Sequence, residues 1–157
     1  MNPVIAIAAG PQDTADARML FEEYAQWLGV DLCFQGFRQE LENLPGDYAA
    51  PRGRLFIARN PATGEAAGCI ALRPFEGDTC EVKRLYVRPA HRGTGLGKRL
   101  AEAVLAEARA QGYRRMRLDT VPGMEAAIAL YRALGFQEIK PYRLNPIPGA
   151  LFMEREL

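Results

Sequence analysis

Leu85-Tyr86-Val87-Arg88-Pro89-Ala90-His91-Arg92-Gly93-Thr94-Gly95-Leu96-Gly97-Lys98-Arg99 is the stretch on which the reading of this chain turns. Side chains alternate through Thr79 to Val87, which predicts a strand. Pro89 and the glycines break it. From Leu96 the apolar positions Leu100, Val104 and Ala108 repeat at helical spacing, flanked by Ala101 and Leu105. The segment therefore reads strand, glycine-rich loop, helix. Gly93, Gly95 and Gly97 let the backbone bend and approach a ligand without a Cβ in the way. The amides that open the helix at Leu96 to Lys98 have no partner inside it and attract anions, phosphates above all. Arg92 and Lys98 add positive charge.

Spacing narrows the phosphate ligand. A dinucleotide fold needs G-x-G-x-x-G, and here Lys98 stands where the third glycine belongs. A Walker A loop ends in Gly-Lys-Ser/Thr after four intervening residues, and here Gly97-Lys98 is followed by Arg99, with Arg at position 92. Both nucleotide readings fail.

Working outward, Val4 to Ala8 reads as a first strand. Asp13 caps a helix running through Met19, Leu20, Tyr24 and Leu28 to Gly29. A second helix is expected over Phe34 to Leu44, stopping at Pro45-Gly46, with a loop from Asp47 to Gly53. Arg54 to Arg59 and Ala66 to Leu72 are strands joined by the turn Asn60 to Gly64. Gly77-Asp78 turns the chain into Thr79 to Val87. After the glycine loop the helix ends at Gly112. Arg115 to Thr120 is a strand, and Pro122-Gly123 opens a helix over Met124 to Leu134 that Gly135 closes. Phe136 to Lys140 and Ala150 to Glu156 are two last strands. The order β-α-α-β-β-β-α-β-α-β-β predicts an α/β layout with a mixed sheet, because two strands are followed by helical crossovers.

Composition sets the limits. The 157 residues suit a single domain spanning 1–157, and an apolar share of 48% supports a full core. A net charge of +1 argues against nucleic-acid partners and against a polybasic membrane surface. Arg84, Arg88, Arg92, Lys98 and Arg99 nevertheless crowd one stretch, either a solvated face or an anion site. Cys33, Cys69 and Cys80 form no C-x-x-C pair, and His91 is the sole histidine, so neither a disulfide framework nor a metal site is expected. Cys69 reads as a small core residue. Met1 to Gly10 lacks a basic leader and is too short to span a membrane, which points to a cytoplasmic protein.

The loop resembles that of the GNAT superfamily of acyl-CoA-dependent N-acetyltransferases, whose pattern is Arg/Gln-x-x-Gly-x-Gly/Ala, here Arg92, Gly93-Thr94, Gly95, Leu96, Gly97. Two further blocks carry the resemblance. Glu81-Val82-Lys83-Arg84-Leu85-Tyr86-Val87-Arg88-Pro89 is similar to the family's fourth strand. Ala127-Ile128-Ala129-Leu130-Tyr131-Arg132-Ala133-Leu134-Gly135-Phe136 is similar to its last helix and Gly-Phe ending. The likeness is clear from Glu81 to Phe136 and only architectural before that. It implies a mostly antiparallel sheet of about seven strands flanked by about four helices, with the fourth and fifth strands splayed. It implies acetyl-CoA as acetyl donor, with no metal. Its pyrophosphate would meet Arg92, Gly93, Thr94, Gly95, Leu96, Gly97 and Lys98. Its pantetheine arm would pair with backbone groups of Leu85, Tyr86 and Val87, the Val87 amide serving as oxyanion donor. Tyr131 matches the family tyrosine that protonates the leaving thiolate, and a phenol with a pKa of about 10 keeps its proton for that task.

Glu81 is the expected base, by resemblance to the histone-acetyltransferase branch. Lying six positions before Val87, it is expected on the same strand face as Lys83, Leu85 and Val87. It is equally compatible with a glutamate paired to Lys83 or Arg73. Met124 stands where many members carry an asparagine that contacts the cofactor, so that contact is lost or supplied by another group such as Thr120.

In the superfamily the first two helices and the loop between the last two strands shape the acceptor pocket. Here they hold Tyr24, Trp27, Asp31, Cys33, Phe34, Gln35 and Phe37, then Tyr142, Arg143 and Asn145. Tyr24, Phe34, Tyr142 and Arg143 are the chosen acceptor-side residues. Arg143 suits a carboxylate on the acceptor, whereas Asp31 suits a cation. The expected reaction moves acetyl from acetyl-CoA to a primary amine of a small molecule or peptide, directly in a ternary complex. The alternatives are an acyl-CoA sensor without catalysis and a nucleotide-binding α/β domain. A monomer and a homodimer both fit the exposed last strands.

Overall fold

A computed structural model describes residues 2–29, 32 and 36–157. Its strands are β1 (Val4–Ile7), β2 (Arg54–Arg59), β3 (Ala66–Glu76), β4 (Thr79–Val87), β5 (Arg115–Thr120), β6 (Gln137–Ile139) and β7 (Leu151–Glu156). Its helices are α1 (Gly10–Leu28), α2 (Phe37–Glu42), α3 (Leu96–Ala110) and α4 (Glu125–Ala133), with short 3-10 turns at Gly46–Tyr48 and Pro89–His91. All seven strands share one sheet in the order β1-β2-β3-β4-β5-β7-β6. Every neighbouring pair is antiparallel except β4 and β5. The mixed sheet and four helices expected from the sequence are present.

Several boundaries differ for local reasons. Helix α1 begins at Gly10, ahead of Asp13. The Asp13 carboxylate caps it from inside the first turn, accepting the Ala9 N–H at 2.8 Å. Strand β3 runs past Leu72 through Pro74, because β2 pairs only as far as Leu72 and leaves that edge of β3 without a partner that needs an N–H. Helix α2 starts at Phe37; Phe34, with Asp31, Cys33 and Gln35, lies outside the described residues.

Two cores sandwich the sheet. Leu100, Val104 and Ala108 of α3 and Tyr131 of α4 pack on one face against Ile70, Leu72, Cys80, Val82, Met116 and Leu118. Ala17, Leu20 and Phe21 of α1 pack on the other against Leu55, Ile57, Cys69, Ala71 and Tyr86. Among the described residues no helix is long and apolar enough to cross a membrane.

The pairing of β4 with β5 covers only Thr79↔Arg115, Cys80↔Met116 and Glu81↔Arg117, although β5 continues to Thr120. Beyond Glu81 the two strands diverge. A second irregularity sits on the other side of β4. Cys69 faces Tyr86 and Ala71 faces Lys83, so Arg84 and Leu85 together oppose the single residue Ile70. This is a β-bulge, and it places Arg84 at φ 62°, a left-handed conformation that costs a non-glycine residue about 1–2 kcal/mol. The strain is held by burial and by two bonds from the Arg84 guanidinium to Glu40, both 2.9 Å. The extra residue also reverses the alternation. Leu85 and Val87 join the α3 face, whereas Arg84, Tyr86 and Arg88 point toward α1 and α2. Glu81 and Lys83 therefore lie on the face opposite Leu85 and Val87, contrary to the shared face that simple alternation predicts.

Candidate active site

The divergence of β4 from β5 opens a narrow passage lined by Tyr24, Val82, Lys83, Arg84, Leu85, Leu118, Asp119, Thr120, Met124, Tyr131 and Asn145. It connects the α1 side of the sheet with the α4 side. Next to it, on the α3 and α4 side, lies a larger cavity of about 340 Å³, walled by Trp27, Leu85, Tyr86, Val87, Arg92, Gly93, Gly95, Leu96, Gly97, Lys98 and Leu130. Leu85, Met124 and Ala127 line both.

The β4 backbone aims its polar groups into this space. The Arg88 N–H donates to the Ala67 carbonyl at 2.9 Å, which makes Gly68 and Val87 a non-hydrogen-bonded pair. The Val87 N–H and C=O therefore point away from β3, toward the gap that β5 has left. Arg92 Nε donates to the Val87 carbonyl at 2.9 Å. At the far end of the same wall α3 begins without a side-chain cap and without an acid in its first turn, and Leu96, Gly97 and Lys98, whose N–H groups have no partner inside the helix, line the cavity.

Of the three loop glycines, two need to be glycine for backbone reasons. Gly93 has φ 75° and Gly95 φ 84°. Gly97 is an ordinary helical residue, and a Cβ there would meet Leu130 and Val87 at 3.8 and 3.9 Å, normal contact. Its assignment as a bend is corrected by its place inside α3. Gly95→Ala is expected to raise the acetyl-CoA KM about tenfold, from about 1–2 kcal/mol of left-handed strain at the cavity wall. Gly97→Ala should stay within about twofold in the same assay, since it adds only a contact.

The basic run is not one patch. Arg84 is paired with Glu40, Arg88 with Glu23 at 2.7 Å, and Arg99 donates to the Pro3 carbonyl. The Arg92 guanidinium lies over Trp27 at 4.8 Å and over Tyr86 at 5.8 Å. Trp27, expected on the acceptor side, thus stands at the glycine-loop cavity. Thr94 turns its hydroxyl to the His91 carbonyl at 2.6 Å. Lys98 and Arg92 are the cationic side chains that line the cavity.

Tyr131 is buried, stacks edge-on to Phe136 at 5.3 Å and lines the passage. Burial, with the Tyr24 phenol as a smaller contributor, raises its pKa. Tyr24 lines the passage from the other side, pushed up to about 12 chiefly by burial. Glu81 is elsewhere. It is fully buried, its Oε1 accepts from Arg73 Nε at 2.9 Å and Nη2 at 2.8 Å, and its Oε2 accepts from Tyr142 at 2.7 Å and Arg143 at 2.5 Å. Burial pushes its pKa up, but Lys83, Arg73 and Arg143, with the Tyr142 bond, outweigh that and hold it below the ordinary value. Tyr142 and Arg143 are thereby committed to Glu81, and among the described residues Tyr24 and Asn145 are the expected acceptor side chains that reach the passage.

Composition alone left two ionisable residues of the passage without a part. Lys83 Nζ of β4 stands 3.5 Å from Asp119 Oδ1 of β5, and both side chains are almost wholly buried. Asn145 Nδ2 donates to the other Asp119 oxygen at 3.2 Å. Burial, then the Arg84 charge, lowers the Lys83 pKa to about 8 against the opposing pull of Asp119 and Glu81. A sequence signal existed: charged residues at strand positions flanked by core side chains. The bulge that turns Lys83 to this side had none.

The family model described as the Acetyltransferase (GNAT) family matches residues 18–136. The chain belongs to the GNAT family. An uncharacterized N-acetyltransferase of Schizosaccharomyces pombe is 43% identical over 157 residues, covering 99% of this chain and 96% of that protein. A Klebsiella pneumoniae protein crystallised as a candidate acyl-CoA N-acyltransferase shares 32% identity and superposes with a TM-score of 0.77 over 99% of this chain and 97% of that one. A GNAT superfamily phosphinothricin acetyltransferase from Sinorhizobium meliloti, solved in complex with AcCoA, has the same fold at 21% identity, TM-score 0.70, covering 100% of this chain and 89% of that one. This GNAT chain is an acetyl-CoA-dependent acyltransferase. The nucleotide-binding alternative falls with that assignment.

Proposed function

We propose that the chain transfers the acetyl group of acetyl-CoA to a primary amine of a small-molecule or peptide acceptor, directly within a ternary complex. One observation carries the reading: the Val87 amide, turned away from β3, and the uncapped start of α3 lie along one wall of a single cavity, an arrangement that suits a long polar chain ending in phosphates. A second feature fits the same group. Thr120 Oγ1 is buried beside Met124 without a hydrogen-bond partner among the described residues, a donor available where the family asparagine is missing.

Bound there, acetyl-CoA supplies an activated acetyl thioester. Leu85, Tyr86 and Val87 would align its arm, with the Val87 N–H donating to the carbonyl oxygen as negative charge grows there. Arg92, Gly93, Thr94, Gly95, Leu96, Gly97 and Lys98 would hold the phosphates. Tyr131 would keep a proton for the departing sulfur. Neither Cys69 nor Cys80 lines the passage or the cavity, and burial raises both thiols, Cys80 to about 12, so neither is a ready nucleophile. Glu81, with its oxygens taken up by Arg73, Tyr142 and Arg143, is better suited to bracing the strands than to removing a proton.

The test is thiol release from acetyl-CoA over a panel of primary amines, with both substrates varied. Intersecting initial-velocity lines are expected; parallel lines, or tight CoA binding with turnover of no amine, would refute the reading. Thr120→Val provides a check on the arm. The acetyl-CoA Kd by calorimetry should rise about fivefold, the worth of about 1 kcal/mol for one hydrogen bond. Melting temperature should hold, because the hydroxyl has no partner among the described residues to lose.

A further inference from the structure

We infer that Lys83, braced by Asp119 across the opening between β4 and β5, takes the proton from the acceptor ammonium; this rests on the acetyltransferase reading above. The geometry is specific. The bulge at Arg84 and Leu85 separates two functions along one strand: Leu85 and Val87 turn to the cavity on the α3 side, and Lys83, next to the bulge, turns to the α1 side. The passage through the sheet joins the two, and Lys83, Asp119, Thr120, Asn145, Tyr24 and Tyr131 all line it. An amine entering from the α1 side to reach a carbonyl at the Val87 amide passes Lys83 and Asp119. Asn145 holds the second Asp119 oxygen at 3.2 Å and so fixes the carboxylate.

Among the described residues, the charges around Lys83 come from several elements. Its own strand brings Arg84 and Glu81, β3 brings Arg73, and β5 brings Asp119. Tyr24 comes from α1, Tyr131 from α4, and Glu40 of α2 neutralises Arg84. Burial is the largest influence and Arg84 the next, both favouring the neutral amine, while Asp119 and Glu81 favour the cation. The result, about 8, leaves a usable neutral fraction near neutral pH and a strong enough base to be reprotonated.

The proton accounting closes. One proton passes from the acceptor ammonium to neutral Lys83 Nζ, and Lys83 later releases it to water. The freed nitrogen lone pair forms the new N–C bond to the thioester carbonyl carbon as the C–S bond breaks. The departing sulfur takes a proton from Tyr131, and the second N–H proton leaving the nitrogen restores the Tyr131 phenol, so that the products are the amide, the thiol and one proton in solution.

The experiment has a kinetic and a spectroscopic arm. With the best amine of the panel at saturation, kcat of the wild type should climb with pH and level off above about 8, because only the neutral lysine accepts a proton. Lys83→Met should lose about 100-fold or more at pH 8 and lose that limb. Independently of turnover, the Lys83 13Cε resonance of the wild type, with CoA bound, should titrate near pH 8. Asp119→Asn removes a charge that favours the cation. It should move the resonance midpoint and the kcat limb to lower pH together. A purely structural pair would shift the resonance and leave the limb in place, and that result, or a limb surviving in Lys83→Met, overturns the proposal. A wild type that acetylates no amine instead overturns the function on which it rests.

Discussion

Glu81→Gln is expected to lower the melting temperature by about 6–12 °C, from loss of about 3 kcal/mol when one member of a buried ionic cluster is removed. The carboxylate is fully buried and balances Arg73 and Arg143, whose side chains keep 20% and 23% exposure. That partial exposure is why the lower end of the range for broken buried pairs applies. Glutamine keeps the shape and loses the charge, so the guanidinium groups of Arg73 and Arg143 face one another without their shared counter-ion, and Tyr142 loses an ionised acceptor. The pH dependence has a definite sign. Folding depresses the Glu81 pKa, so its stabilisation is complete above the ordinary value of 4.5 and is lost as pH falls through the lower folded value. The difference between wild type and Glu81→Gln should therefore be fully present at pH 6 and shrink in acid. Calorimetric scans at several pH values measure it. The kcat of the folded variant distinguishes a brace from a base: a brace predicts a loss below about tenfold, whereas a general base predicts about 100-fold or more. A large kcat loss at an unchanged melting temperature would return the base to Glu81.

The parts of this molecule written in local periodicity were legible, and those made by long-range pairing were not. The run from Thr79 to Ala110 shows its strand, loop and helix because alternation, glycines and helical spacing are all local. The bulge is invisible in Lys83-Arg84-Leu85, which holds no glycine, asparagine or turn residue. Arg84 can sit at φ 62° because Glu40, 44 positions away, holds its guanidinium in the core. One unseen residue then inverted the predicted facing of Glu81 and Lys83 relative to Val87. Glu81 itself looked like a base because its sequence neighbours are those of a catalytic strand. Its fate was set by Arg73, Tyr142 and Arg143, the last two more than sixty positions distant. Strand β7 entering between β5 and β6 was hidden for the same reason, since six register pairs with β5 outweigh the three that β6 offers. The glycine loop fared better. Its left-handed glycines at 93 and 95 are local requirements, and only Gly97 was given a backbone task it does not have.

Tyr131→Phe should reduce kcat by about 100-fold, the lower end of what a positioned general acid contributes, while the acetyl-CoA KM stays within about twofold. The change is close to a pure deletion of one oxygen. The ring keeps its edge-on contact with Phe136 and its place in the core beside α3. The residue lines the passage, so removing its hydroxyl is expected to leave the melting temperature close to that of the wild type. Burial keeps the phenol protonated well above its ordinary pKa, so a wild-type limb near pH 8 cannot come from Tyr131 and should persist, at reduced height, in the phenylalanine variant. The two passage residues therefore separate kinetically. Loss of Lys83 removes the rising limb, and loss of Tyr131 lowers the whole profile. In a double variant the effects should combine close to multiplicatively if the proton leaves the nitrogen and reaches the sulfur in distinct steps, and far less than multiplicatively if the two side chains act on one transition state as a unit. An unchanged kcat in Tyr131→Phe would remove the phenol from the chemistry and leave protonation of the thiolate to solvent.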